Sequence, residues 1–156
     1  MDPRLFDRIP SWCFFPIGLV LLSAGLSLID AILPMPEGPD FKSELFRTTS
    51  LWILVPAAVL VPAGEGLLWT VFFTEGFARV FRAPVMGAVV GVIGYGVIFH
   101  FAGGELAIAA STWIGTVLAS LYLVMRERSR WKAILNTVCL RWAFMLYVYF
   151  TLTGTS

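Results

Sequence analysis

Five apolar runs, each about as long as a bilayer is thick, take up most of this chain and restrict it to a bundle of membrane-crossing helices. They fall at about 12–33, 50–73, 84–101, 106–125 and 131–151. A helix rises 1.5 Å per residue, so about 20 apolar residues cross the hydrocarbon core. Inside that core every backbone N–H and C=O needs an internal partner, which an α-helix supplies. The runs are separated by charged or Gly/Pro-rich punctuators: PMPEGPDFKSE, EGFARVFRAP, GGE and RERSRWK. Composition agrees, with 58% hydrophobic residues, 13% charged and a mean hydropathy of +0.84. A soluble domain of 156 residues could not hide so much apolar surface. The expectation is an all-α, polytopic transmembrane bundle of about five spans, one integral membrane domain over 1–156, with the lipid bilayer as its solvent. The second run contains Pro56, Pro62, Gly64 and Gly66. A break near Pro62 is one reading of it and an uninterrupted span the other.

The N-terminal MDPRLFDRIPSW places charges before the first run, as a signal peptide would. The apolar stretch that follows is too long for a signal-peptide core and lacks a small-residue cleavage site, so it reads as a retained helix. If five spans alternate, one side receives Arg4, Arg8, Arg79, Arg82, Arg126, Arg128, Arg130 and Lys132, and the other only Lys42 and Arg47. That bias places the N-terminus in the cytoplasm and the C-terminus outside. Trp12, Trp52, Trp131, Tyr147 and Tyr149 stand near run ends, as interfacial aromatics do. The net charge of +1, with basic residues scattered in twos, argues against a nucleic-acid partner. Cys13 and Cys139 each lie in an apolar run and read as packing residues.

Two stripes of small residues stand out: Ala83, Gly87 and Gly91 in the third run, and Ser111, Gly115 and Ala119 in the fourth. Small residues four apart let a neighbouring helix approach closely. Packing of spans three and four on each other is the expectation, with homodimerisation through one of these faces as the alternative.

Polar residues within or at the edges of the runs that are candidates for chemistry are few: Asp30, Glu65, Thr70, His100, Asn136, Thr137 and Arg141, with Glu75 and Glu105 near boundaries. Glu75 and Arg79, spaced i and i+4, suggest a surface ion pair, and Asp30 lies within one turn of the outer end. Glu65 is different, because a carboxylate at membrane depth faces a cavity or a partner. It reads either as a structural acid bonded to backbone or to Thr70, or as a group that activates water, relays protons or pairs with Arg141. Arg141 sits about ten residues into the last run and cannot shed its proton, so it needs a carboxylate or a wet pocket. His100, the single histidine, lies in GYGVIFHFAGG. It reads as bonded to its own helix end or as a ligand for a metal or pigment.

From Pro62 to Tyr149 the layout resembles the CAAX protease and bacteriocin-processing family of intramembrane proteins (CPBP), over about 62–150. GEGLLWTVFFTEGFARVF is similar to the family's EExxxR helix, and GVIGYGVIFHFAGG to its FxxxH helix. LYLVMRERSRWKAIL resembles the basic turn into the last motif, which is followed here by NTVCLRWAFML. The resemblance places Glu65 on the first glutamate and His100 on the first histidine. The second glutamate falls on Gly66, the arginine on Thr70 and the phenylalanine on Gly96, beside Tyr95. The second histidine falls on Thr137 and its Asn/Asp companion on Arg141. In active relatives these glutamates and histidines activate a water and stabilise a tetrahedral intermediate.

The resemblance therefore implies a catalytically degenerate CPBP-like protein of a bacterial inner membrane, acting as subunit or scaffold of a membrane complex, with other membrane subunits or a second copy as partner. An active endopeptidase using Glu65 and His100 is the alternative. A small subunit holding a cofactor or pigment on His100 is a second. The identity of any cofactor stays open.

Overall fold

A computed structural model describes residues 9–33, 59–99 and 104–153, and all five of its elements are helices. Helix α1 spans Phe14–Ile32 and is entered through the 3-10 turn Ser11–Cys13. Pro16 is tolerated because its missing N–H falls in the first turn, where no intrahelical bond would form. The helix stops at Leu33, the residue before Pro34, where a following proline disfavours helical backbone.

Helix α2 is helical throughout 59–81, with a π-type stretch over Gly66–Phe72 and an α-helical end over Phe73–Phe81. The chain is not broken at Pro62, which is fully buried within the helix. The irregularity comes one turn later, as a widened π segment that keeps the helix intact. Helix α2 also runs past the expected boundary at 73 to Phe81. There Arg82 turns left-handed at φ 52° and Ala83 is extended ahead of Pro84, which opens the next helix.

Helix α3 runs over 84–99, α-helical for Pro84–Ile93 and π-type for Gly94–Phe99. Helix α4 is Gly104–Arg126 and α5 is Arg130–Thr153. Ser129 accepts from the Lys132 N–H at 3.4 Å as α5 begins.

Helix α4 is the central element and packs against each of the other four. Its Ile114, Val117, Leu118, Leu121, Tyr122 and Met125 meet Phe14 and Leu22 of α1, Tyr95 of α3, and Ala133, Leu140 and Phe144 of α5 in one core. Two helical segments, Ser11–Ile32 and Gly104–Arg126, are long and apolar enough to cross a membrane.

Helices α3 and α4 pack on each other, yet their small-residue stripes divide between neighbours instead of meeting. On α3, Gly87 lies against the Phe73 and Thr74 carbonyls and Gly91 against that of Trp69, so this stripe seats α3 on α2. On α4, Gly115 faces Val92 and Tyr95 of α3, while Ser111 and Ala119 are buried beside it. Trp113 of α4 ties down α1 by donating to the Leu21 carbonyl at 3.1 Å.

The start of α1, the α2–α3 turn and the α4–α5 turn lie at one end of the bundle. Arg128, between α4 and α5, donates to the Ile9 carbonyl at 2.5 Å, and its guanidinium carbon stands 5.4 Å from the Phe14 ring centroid. Every described Lys or Arg except Arg141 belongs to this end. Arg4, Arg8, Lys42 and Arg47 lie outside the described residues.

Candidate functional site

Glu65 sits at the point where α2 widens into its π segment. Arg141 comes from the middle of α5, and Tyr95 from the π segment of α3. The three close a triangle. Arg141 Nη2 donates to Glu65 Oε2 and, at 2.6 Å, to the Tyr95 hydroxyl. That hydroxyl in turn donates to Glu65 Oε2 at 3.2 Å. The guanidinium carbon also stands 5.7 Å from the Tyr95 ring centroid, within cation–π range. Tyr95 and Arg141 are both buried, and Glu65 is partly so. The carboxylate is thus paired and hydrogen-bonded where it is partly out of water, as a half-buried charge requires.

The other positions singled out in the sequence gather around this triangle. A Cβ on Gly66 would stand 3.6 Å from Thr137 Cγ2 and 3.7 Å from Arg141 Cβ, so Gly66 faces α5 directly. The Thr137 hydroxyl does not reach Glu65, because it donates to the Ala133 carbonyl at 2.9 Å one turn back in its own helix. Thr70 lines a cavity together with Glu65, Trp69, Tyr95 and Arg141. That cavity is about 10 Å³, at the lower limit of the room one water needs. Gly96 lies farther off, against Thr112 of α4. His100 lies outside the described residues. Among the described residues no three His, Cys, Asp or Glu side chains converge to hold a metal.

A second cluster of the same residue types, centred on a carboxylate, forms ten positions along α2. Glu75 Oε1 accepts from Tyr122 at 2.9 Å and from Arg126 Nε at 2.8 Å, and Oε2 accepts from Arg126 Nη2 at 3.1 Å. This corrects the i, i+4 pairing with Arg79. A forked guanidinium from α4 makes two parallel bonds that a neighbour on the same helix cannot match. Burial pushes the Glu75 carboxyl up, but the hydrogen bonds from Arg126 and Tyr122, with the charges of Arg126 and Arg130, outweigh it and hold it below the usual range.

The roles of Tyr95, Tyr122 and Arg126 were missed in the sequence. Tyr95 carries the clearest signal, a hydroxyl between two glycines in an apolar run. Comparison with protein-family models, with curated proteins and with solved structures finds no match for this chain.

Proposed function

We propose that this chain is an integral membrane bundle of CPBP-like layout, catalytically degenerate, that serves as a subunit or scaffold of a membrane complex. The observation that carries the reading is the state of Glu65. Its carboxylate is held by Arg141 and Tyr95, and the adjoining cavity is about 10 Å³. A general base needs an accessible lone pair, a water and a substrate carbonyl within reach at once. A carboxylate whose Oε2 is held by two donors, beside a space of about one water, fits a structural element joining α2, α3 and α5.

Membrane residence is supported by the outer faces of the bundle. Val20 and Leu28 of α1, Phe72 of α2, Ile98 of α3 and Leu135 of α5 are large apolar side chains turned outward. Water would not support so much exposed apolar surface on a monomer, whereas lipid tails would. The basic end of the bundle would face the cytoplasm, of a bacterial inner membrane on the CPBP-like reading.

The deciding experiment incubates the reconstituted chain, parent and Glu65→Gln, with internally quenched apolar peptides, and separately weighs the gently extracted protein by native mass spectrometry. The expected result is no cleavage by either form and a stable assembly with other membrane subunits or a second copy. Cleavage by the parent that disappears in Glu65→Gln would overturn the reading.

A further inference from the structure

The fold sorts the basic residues at its charged end into two groups, which the sequence alone does not separate. Arg126 is consumed by Glu75, and Arg128 is turned inward onto the Ile9 carbonyl and the Phe14 ring. Arg79, Arg82, Arg130 and Lys132 are exposed and make none of the protein's described ion pairs. Arg82 caps the end of α2, while Arg130 and Lys132 open α5. Arg130 follows by four residues Arg126, which is bonded to Glu75, so the start of α5 lies at the same end of the bundle as the end of α2. These cations therefore share one end of the bundle.

Two tryptophans stand among them. Trp131, between Arg130 and Lys132, is 81% exposed, and Trp12, before α1, is 74% exposed. An indole left in water at the end of a helix is costly. At the headgroup level of a bilayer its ring is buried while its N–H stays hydrated. The combination of outward cations and outward indoles fits a phospholipid surface of negative charge. Electrostatic attraction of juxtamembrane Lys and Arg to anionic headgroups is a general effect, strongest within a Debye length of about 8 Å.

We infer that this end of the bundle, centred on Arg82, Arg130, Trp131 and Lys132, is a binding surface for anionic phospholipid headgroups. The inference rests on the membrane reading above and adds a lipid class to it. The cations donate to phosphate oxygens, while Trp131 fixes the depth at which they meet them. Glu75 contributes indirectly, since by occupying Arg126 it holds the ends of α2 and α4 together beneath this surface.

The test uses the full-length chain in mild zwitterionic detergent, titrated with phosphatidylglycerol or phosphatidylcholine and read by native mass spectrometry. Parent protein should retain phosphatidylglycerol about tenfold more tightly. Arg130→Gln with Lys132→Gln should erase that preference, a change of about tenfold, equivalent to about 1.4 kcal/mol. Glu127→Gln, which removes an exposed acid at the same end, should leave the preference in place or raise it. Equal retention of the two lipids by the parent, or undiminished phosphatidylglycerol retention by the double variant, would overturn the inference. So would displacement of the lipid by inorganic phosphate at equal concentration, which would assign the site to a free anion. Alkaline carbonate extraction of parent and variants keeps the two readings apart. Release of the parent chain by carbonate defeats the membrane reading, whereas firm retention with no lipid preference defeats this inference alone.

Discussion

Arg141 illustrates how much of this molecule is decided by single ionisable groups. A guanidinium in an apolar run cannot be neutralised by losing its proton, so its position among NTVCLRWAFML called for a carboxylate or a wet pocket, and Glu65 was the natural carboxylate. The structure brings the two together and adds Tyr95, which donates to Glu65 and accepts from Arg141. The tyrosine was not legible as the third member, because a hydroxyl on a helix has many ways to be satisfied and spacing selects none of them. Energetically, removing one partner of a buried pair is worse than removing both, since the survivor keeps its desolvation cost. Arg141→Ala should therefore destabilise the chain by about 3 kcal/mol, while Glu65→Gln combined with Arg141→Met should recover most of that loss. Reversible unfolding of the single and double variants in detergent reads this as a coupling energy. Additive effects of the two changes would show that the pair contributes nothing beyond its separate members.

At the scale of elements, α2 carries the design, with a Glu, Tyr and Arg cluster at each of two levels. Glu65 ties it to α3 and α5, and Glu75 ties it to α4. Between them the π segment Gly66–Phe72 widens the helix. Trp69, Phe73, Phe77 and Phe81 stack in series along it, with ring centroids 4.8, 5.5 and 5.8 Å apart. The helical nature of this element follows from its apolar length, but its end does not. EGFARVF reads as a polar punctuator until Glu75 is seen to face Arg126 and Tyr122, and the aromatic stack to continue to Phe81. The proline signal was misleading for a similar reason, since one lost N–H bends a helix without ending it when neighbours pack around it. Glu75 lies past the apolar run that ends at 73, and its lowered pKa gives this element a pH dependence of definite sign. A carboxyl whose pKa is lower folded than unfolded stabilises the fold above the ordinary glutamate range of about 4.3. That contribution is lost as pH falls through the residue's own lower value. Glu75→Gln should thus be less stable than the parent at neutral pH, and the gap should close on acidification. Melting curves of both forms from neutral pH to about 3 test this. A gap that stays constant across the range would mean that the ionised carboxylate does not stabilise α2.

For the whole molecule, alternation of five runs and the asymmetry of Lys and Arg together specify which turns should share a side. The described helices obey that alternation. Helix α2 returns to α3 through Arg82 and Ala83, and α4 to α5 through 127–129, at the same end at which α1 begins. What composition could not give was the neighbour of each helix. The glycines of α3 fit the carbonyls of α2, and α4 became the hub, because close approach depends on which backbone is available to be approached. The arrangement makes a labelling pattern obligatory if the bundle spans a membrane. With Cys13→Ser and Cys139→Ser as background, single changes Ala83→Cys and Ser129→Cys should react with a membrane-impermeant maleimide from one face only. Glu105→Cys, exposed at the opposite end where α4 starts, should react from the other face. On the proposed orientation, with the basic turns cytoplasmic, Ala83→Cys and Ser129→Cys should be protected in sealed right-side-out vesicles and Glu105→Cys labelled. Labelling of Ser129→Cys and Glu105→Cys from the same side would mean that α4 does not traverse the bilayer. The outward apolar faces would then have to be covered by a partner protein and not by lipid.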